Sequence, residues 1–529
     1  MRSTIVRFII LAIVMGLLTM QPYNVRAAAF LITTNGDEAD VLPADGVCAT
    51  AGGACTLRAA IQTANAVPGT DSIAFSDAIF SVPTTITLTA DLPTITDSVG
   101  IAGSSPATVI IDGANSFRAG FNVAASVALS VARLTLTHGV GTNGGAIRNS
   151  GSVTVYQVRF SANSAANYGG AIAHLSGDLS VSDSLIDGNE ALLGGGIYSQ
   201  ATMTIVNSTL SANDATGGGA ILTNDGSTTT IRQSTITLNR AANGGGIDVR
   251  GLLRLGNSIV AGNSVTGLYA DGVGDIESLG HNAIGDADGI VITGVTTGNL
   301  LDAAASPLNL GVLTDNGGLL PTHALTIGSV AIGAGSDALA LNIDGLALTT
   351  DQRGVGFARV QGDRVDIGAH EADRSLVVFT TLQGRIQPTP NPSFVIDAHV
   401  RVNRAGDNAL IWSGDRRTEA AGVFNLFGLP PDVYRIWVKG THTLARRSGD
   451  VAVVTNGGSF YITPVLKEGD ASDDNVINIT DFSILAATFG KSSGVSGYDA
   501  RADFNGDNAV NITDFSLLAA NFGQVGEGS

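Results

Sequence analysis

From Gly144 to Asn263 the apolar positions come in blocks, following neither a helical nor a plain alternating rule. The blocks are Gly144-Gly145-Ala146-Ile147, Gly169-Gly170-Ala171-Ile172, Gly194-Gly195-Gly196-Ile197, Gly218-Gly219-Ala220-Ile221 and Gly244-Gly245-Gly246-Ile247, their isoleucines 24 to 26 residues apart. A fixed period of that length marks a repeat architecture. Between the blocks lie short β-type runs such as Val153-Thr154-Val155, Leu179-Ser180-Val181 and Met203-Thr204-Ile205, each followed by one of Asn163, Asn189, Asn213, Asn239 and Asn263. No stretch between the glycines is long enough, or periodic enough at 3.6 residues, for a helix. Each block is therefore predicted to be one coil of short strands, and coils stacked in register predict a right-handed parallel β-helix. Isoleucine would stack on isoleucine about 4.8 Å apart along the interior. Glycine and asparagine suit corners that need positive φ, and stacked asparagines can bond to one another and to corner backbone. Both ladders read as structural.

The unit Phe160-Ser-Ala-Asn163-Ser-Ala165 followed by Gly169-Gly170-Ala171-Ile172 resembles the repeat of polymorphic outer-membrane and related adhesin-like β-helix proteins. In later copies Leu185, Leu210, Ile236 and Ile259 are expected in place of the phenylalanine. Earlier coils are expected at Ile73–Phe75, Ile86–Leu88, Val109–Asp112, Phe121–Val123 and Leu134–Leu136. Past Asn263 the period decays, and Asp302 to Asn316 reads as irregular loop.

The chain opens on Arg2 and Arg7, an apolar run from Phe8 to Met20, and Ala27-Ala28-Ala29. This is the pattern of a secretory signal, with a mature chain starting near Phe30. No second apolar run is long enough to span a bilayer. Export would place Cys48 and Cys55, the chain's two cysteines, in an oxidising compartment, where a small disulfide loop is expected; a zinc site would need more ligands. Directly after them, Thr56 reads as an N-cap, with Leu57, Ala60, Ile61 and Ala64 on one helical face, suited to cover the open end of the solenoid. Cys55-Thr56-Leu57-Arg58-Ala59-Ala60 is similar to the Cys-Ser-Leu-Arg-Glu-Ala signature of a family of secreted bacterial β-helix proteins. Asp351-Gln352-Arg353-Gly354 and Asp366-Ile367-Gly368-Ala369-His370-Glu371 resemble that family's ending and are expected to form a terminal cap.

Composition narrows the picture further. The chain has 529 residues, so several domains are expected. Its 68 glycines and 14% charged residues fit repetitive β structure. A net charge of -18 argues against nucleic-acid or anionic-membrane partners. From Ser375 the character changes: Pro388-Thr-Pro390-Asn-Pro392 interrupts regular structure, and alternating runs follow at Val395–Val400, Val423–Phe427, Tyr434–Val438 and Val451–Val454. Short strands separated by turns predict a small β-sandwich, and Gly422 to Tyr434 resembles prealbumin-like, carboxypeptidase-regulatory-type modules. Trp412 and Trp437 are expected in its core.

The most specific chemistry is at the end. Asp470-Ala-Ser472-Asp-Asp474-Asn-Val476-Ile-Asn478-Ile-Thr-Asp481 recurs 33 residues later as Asp503-Phe-Asn505-Gly-Asp507-Asn-Ala509-Val-Asn511-Ile-Thr-Asp514. Side-chain oxygens at positions 1, 3, 5, 9 and 12, with the carbonyl of Val476 or Ala509 at position 7, are what a Ca²⁺ loop of the EF-hand type requires. Behind each loop, Phe482, Leu485 and Phe489, or Phe515, Leu518 and Phe522, fall on one helix face, ended by Gly490 or Gly523. The tail resembles a type I dockerin, and the resemblance implies two Ca²⁺ ions and a cohesin module on another protein as partner. It places the recognition pairs at Ile479-Thr480 and Ile512-Thr513. Asn475 and Asn508 stand where the family has glycine, and Ser472 is a weaker ligand than Asp or Asn. The sandwich before it also resembles the stabilising module paired with some dockerins.

The expected organisation is a signal peptide (1–29), a capped mainly-β parallel solenoid (30–373), a β-sandwich (374–466) and an α-helical calcium module (467–529). The leading functional reading is a secreted or cell-surface, non-catalytic, adhesin-like solenoid attached through its tail. One alternative is a polysaccharide lyase or glycoside hydrolase. Two acids at a set separation would be needed, from Asp183 with Asp187, Asp214 or Asp248, or a groove lined by Arg148, Arg232, Arg250 and Arg254. A second alternative is a calcium module that only staples the fold and has no partner.

Overall fold

The computed structural model describes residues 27–302, 308–385, 390–453 and 459–528. The secretory signal and Pro388 lie outside the described residues, apart from Ala27-Ala28-Ala29. No helix among the described residues is long and apolar enough to cross a membrane.

The repeat coils as its periodicity predicts. One coil runs Ile147–Asn149, Ser152–Tyr156, Arg159–Ser161 and Ser164–Tyr168, and each strand pairs in parallel with its counterpart in the next coil. One lane of strands, from Thr84–Thr87 to Ala283–Ile284, forms a nine-stranded parallel sheet. Ile147, Ile172, Ile197, Ile221 and Ile247 occupy successive register positions and are fully buried. The glycines before them are needed for space as well as for conformation. Gly169 has a φ of +61°, and a Cβ there would lie 2.0 Å from the Ile172 carbonyl oxygen.

Strand pairing corrects the sequence alignment in the adjacent lane. Phe160 stacks on Ile186, Leu210, Ile236 and Val260, so Leu185 and Ile259 are displaced by one residue from the positions expected of them. Because strand side chains alternate between faces, both point out of the coil, yet both are buried. The coils also persist beyond Asn263, through Gly272–Gly280 to Ile290–Gly294, and Leu310–Thr314 in the expected loop pairs antiparallel with Thr322–Leu325.

What covers Leu185 and Ile259 is the closing segment. It does not cap the end of the solenoid; it folds back along its flank. Thr209 Oγ1 donates to Gln352 Oε1 (2.5 Å), Gln352 Nε2 donates to the Ser184 carbonyl (3.1 Å), and the Ala369 amide donates to Thr235 Oγ1 (3.0 Å). Ile259 joins Leu325, Ala331, Ile367 and Ala372 in a second apolar core. The polar signature residues hold this flap together: buried Arg353 bridges Asp351 (2.6 Å) and Asp373 (2.9 Å).

At the other end, helix α1 (Leu57–Ala66) lies over the first coil, its Leu57, Ala60, Ile61 and Ala64 joining the solenoid core. Thr56 caps it, accepting from the Ala59 amide at 3.0 Å, and Cys48 and Cys55 form a disulfide. After the flap, Arg374–Phe379, Val423–Phe427 and Phe460–Ile462 make one sheet. Asp397–Arg404, Leu410–Arg417 and Asp432–Gly440, with short strands at Arg446–Arg447 and Val451–Val453, make another. Leu376, Val378, Val400, Val402, Phe424 and Ile436 fill the space between the two sheets.

Candidate calcium loops and an exposed helix face

Two helices close the chain, α2 (Ile479–Thr488) and α3 (Ile512–Asn521). Each starts on a reciprocal cap. Asn478 accepts from the Thr480 amide at 2.7 Å while Asp481 accepts from the Asn478 amide at 2.8 Å; Asn511 and Asp514 repeat this at 2.8 and 2.9 Å. The capping box thus fixes loop positions 9 and 12, satisfying helix-end amides with the residues that sequence spacing marks as ligands. Asn475 and Asn508 both have a φ of 68°, the left-handed turn for which a glycine is usual.

In the first loop the carboxylates of Asp470, Asp474 and Asp481 offer oxygens within 4.8 Å of one another. Asp470 also accepts from the Asp474 and Asn475 amides at 3.0 and 2.8 Å, and Ser472 Oγ is buried with no hydrogen-bond partner among the described residues. A buried hydroxyl oxygen left over beside three convergent carboxylates is what a hard cation would complete, so this donor set fits Ca²⁺. In the second loop Asp503 accepts from the amides of Gly506, Asp507 and Asn508 and from the Tyr498 hydroxyl (2.8 Å). Asn505 Nδ2 lies 2.9 Å from Asp507 Oδ2, and Asn511 Nδ2 lies 3.4 Å from it. Burial pushes the carboxyls of Asp470 and Asp514 above their ordinary range. A cation would offset the cost of keeping them ionised. The carbonyls of Val476 and Ala509 accept only weak bonds from the side-chain Nδ2 of Asn478 and Asn511, at 3.4 and 3.3 Å.

The helix faces divide differently from the sequence pattern. Leu485 and Leu518 turn into a small core with Ala471, Ile477, Phe504 and Val510, whereas Phe482, Phe489, Phe515 and Phe522 remain exposed. Helix rotation explains this: the spacing that aligns Phe482 with Phe489 also places Ile479 on their side, and the two leucines on the inner flank. Ile479 and Ile512 are each 65% exposed. With the phenylalanines they form a continuous apolar face across both helices, where Phe482 and Phe515 meet edge to face at 6.3 Å. Thr480 and Thr513 lie exposed at its border.

The sandwich grips this unit from behind, as its resemblance to a paired stabilising module implies, through contacts that no local spacing announced. Arg385 donates to Glu468 (2.8 Å), Asn521 Nδ2 donates to Gln383 Oε1 (2.6 Å), and Trp437 Nε1 donates to the Glu527 carbonyl (2.9 Å). Lys439 reaches the first loop itself, its ammonium 3.0 Å from Asp470 Oδ2 and in contact with Asp473.

The acids considered for hydrolysis do not converge. Asp187 pairs with Arg159, Asp214 with Arg240 and Asp248 with Arg250, on three different lanes of the solenoid. Asp183 is held under the flap by Asn207. Arg254 pairs with Glu277, and Arg148 donates to Asn122.

A family model described as the dockerin type I domain matches residues 468–522. No curated protein matches the chain. Two solved structures of type II cohesin–X–dockerin complexes from Acetivibrio cellulolyticus, one a C-terminal and one an N-terminal interface mutant, contain a similar chain. Each is 20% identical, covering 29% of this chain and 97% of that one, with a TM-score of 0.24. The protein thus carries a dockerin type I domain at residues 468–522, behind a parallel β-solenoid.

Proposed function

We propose that the dockerin domain binds two Ca²⁺ ions and attaches the solenoid to a cohesin module on another protein outside the cell. The ligands are Asp470, Ser472, Asp474, Asn478 and Asp481 with the Val476 carbonyl, and Asp503, Asn505, Asp507, Asn511 and Asp514 with the Ala509 carbonyl. The observation that carries this reading is the exposed face of Ile479, Phe482, Phe489, Ile512, Phe515 and Phe522. Large apolar side chains gathered on one solvent-facing surface mark an interaction site. The disulfide between Cys48 and Cys55 supports export. In this reading the solenoid is a non-catalytic binding surface, supported by the pairing of its candidate acids with separate arginines.

Titration of the full chain against a panel of cohesin modules, with Ca²⁺ and with chelator, tests the attachment. Binding is expected only with Ca²⁺, and the double variant Phe482→Ala/Phe515→Ala should weaken it by about 100-fold or more. Unchanged affinity in that variant would remove this face from the interface. A depolymerisation assay on pectins and xylans tests the solenoid: release of reducing ends would make it an enzyme.

A further inference from the structure

Where the flap meets the sandwich there is a cavity of about 690 Å³. The turn at Gly328 to Gly333 and the loop Gly362-Asp363-Arg364 form one wall, and Trp412, Arg416, Asn425 and Phe427 of the sandwich form the other. The walls meet tightly: a Cβ on Gly328 would come within 2.8 Å of the Trp412 ring.

Its polar groups are of two kinds. Asp366 and Glu371 reach the cavity with their carboxylates already engaged by the amides of Gly333, Ala372 and Gln361, so they serve the flap. Of the others, Arg417 pairs with Asp397 and Ser329 Oγ accepts from the Ala331 amide; the rest have unused donors or acceptors. Asn425 Oδ1 has no hydrogen-bond partner among the described residues but is fully buried, so it backs the wall and does not meet the cavity. Arg416 stacks 4.1 Å over the Trp412 ring, which fixes its plane, and only its Nη1 is engaged, donating to the Asp415 carbonyl. Asp363, Arg364 and Glu419 stand exposed at the rim, with no side-chain ion pair or hydrogen bond among the described residues.

Free donors and free acceptors thus sit together against aromatic walls, in a volume typical of small-molecule sites. A hydroxyl group both donates and accepts, so a polyhydroxylated ligand can satisfy such a set. A dianion would meet Asp363 and Glu419, and an apolar ligand would leave Arg416 unpaired at a cost. We propose that this cavity binds a short saccharide, with Arg364 and Glu419 holding hydroxyls at the rim and Arg416 donating to one beside the Trp412 ring. This goes beyond attachment through the dockerin and does not depend on it.

The test is calorimetric titration of the full chain with di- and trisaccharides of glucose, of xylose and of galacturonate, the last arm separating acidic from neutral sugars. Binding of at least one is expected, weakened about tenfold by Arg364→Ala and by Arg416→Met. Arg364 is exposed, so its variant should unfold at the wild-type temperature. Arg416→Met keeps an apolar stem over the Trp412 ring while removing the donors. Binding that survives both substitutions would put the sugar elsewhere and overturn the proposal, as would the absence of binding across the panel.

Discussion

Asparagine 213 shows how much one repeated side chain carries. Its carbonyl oxygen accepts from the Asn189 amide (3.0 Å) and the Asn189 side chain (2.9 Å), while its own Nδ2 donates to the Ile186 carbonyl and to Asn239. Asn213→Ala strands several buried groups at once, and a loss of about 3 kcal/mol is expected in urea unfolding. A second ladder beside it went unread: the amides of Ser184, Ser208 and Ser234 each donate to the serine Oγ one coil on. Its signal was present as Asp183-Ser184, Asn207-Ser208, Gln233-Ser234 and Asn257-Ser258, with positive φ at each first residue. Asp183 makes one of these corners pH-sensitive. Burial, reinforced by Asp351, raises its carboxyl to about 7 against the opposing pull of Asn207 and Arg359. The unfolded chain releases this proton near 4 while the folded chain keeps it, so the stability it contributes at low pH is lost as pH rises from about 4 to about 7. Asp183→Asn should therefore match the wild-type melting temperature at pH 4 and exceed it at pH 8; parallel curves would show that the group ionises normally.

Among the elements, α2 and α3 depend most on what surrounds them. Each has only ten residues, too short to be stable alone in water. Loop positions 9 and 12 double as their caps, so metal and helix are expected to stand or fall together. Chelation should release the tail from the sandwich and shift Trp437 emission to the red, because its indole N–H is held by Glu527. An unchanged spectrum would mean that the apo domain stays docked. Lys439 adds a term that the loop sequence does not contain. With its ammonium 3.0 Å from Asp470, Lys439→Met should tighten Ca²⁺ binding at the first loop by about tenfold, measurable by calorimetry against the unaltered second loop.

At the scale of the whole molecule, the flap ties the chain together. It covers the solenoid's flank, bounds the cavity and leads into the sandwich, which in turn grips the dockerin domain. Arg353 has no exposed side-chain surface and bridges Asp351 and Asp373, so Arg353→Ala leaves buried carboxylates unpaired at a cost of about 3–5 kcal/mol. The flap should then open before the coils do, with new tryptic cleavage at Arg359 and Arg364 while the solenoid stays intact. Cleavage inside the repeats at the same rate would show that flap and solenoid unfold as one.

Local rules reached a long way in this chain. The period of the Gly-Gly-X-Ile blocks, the Thr56 cap and the two Asp-rich loops were legible because each depends on neighbours in sequence or on an identical copy one coil away. The one-residue shift at Leu185 and Ile259 escaped because at these two positions the outward residue is as apolar as its inward neighbour, Ile186 or Val260: the flap buries it, and alternation no longer reports which side faces in. The flap's position, the grip of Lys439 and Trp437 on the dockerin domain and the outward turn of Phe482 and Phe515 were settled only by tertiary structure. Their partners lie tens to hundreds of residues away, and a side chain's exposure depends on what packs beside it. Sequence determined the coil and the loops; packing between segments that share no pattern decided which surfaces remain free to bind.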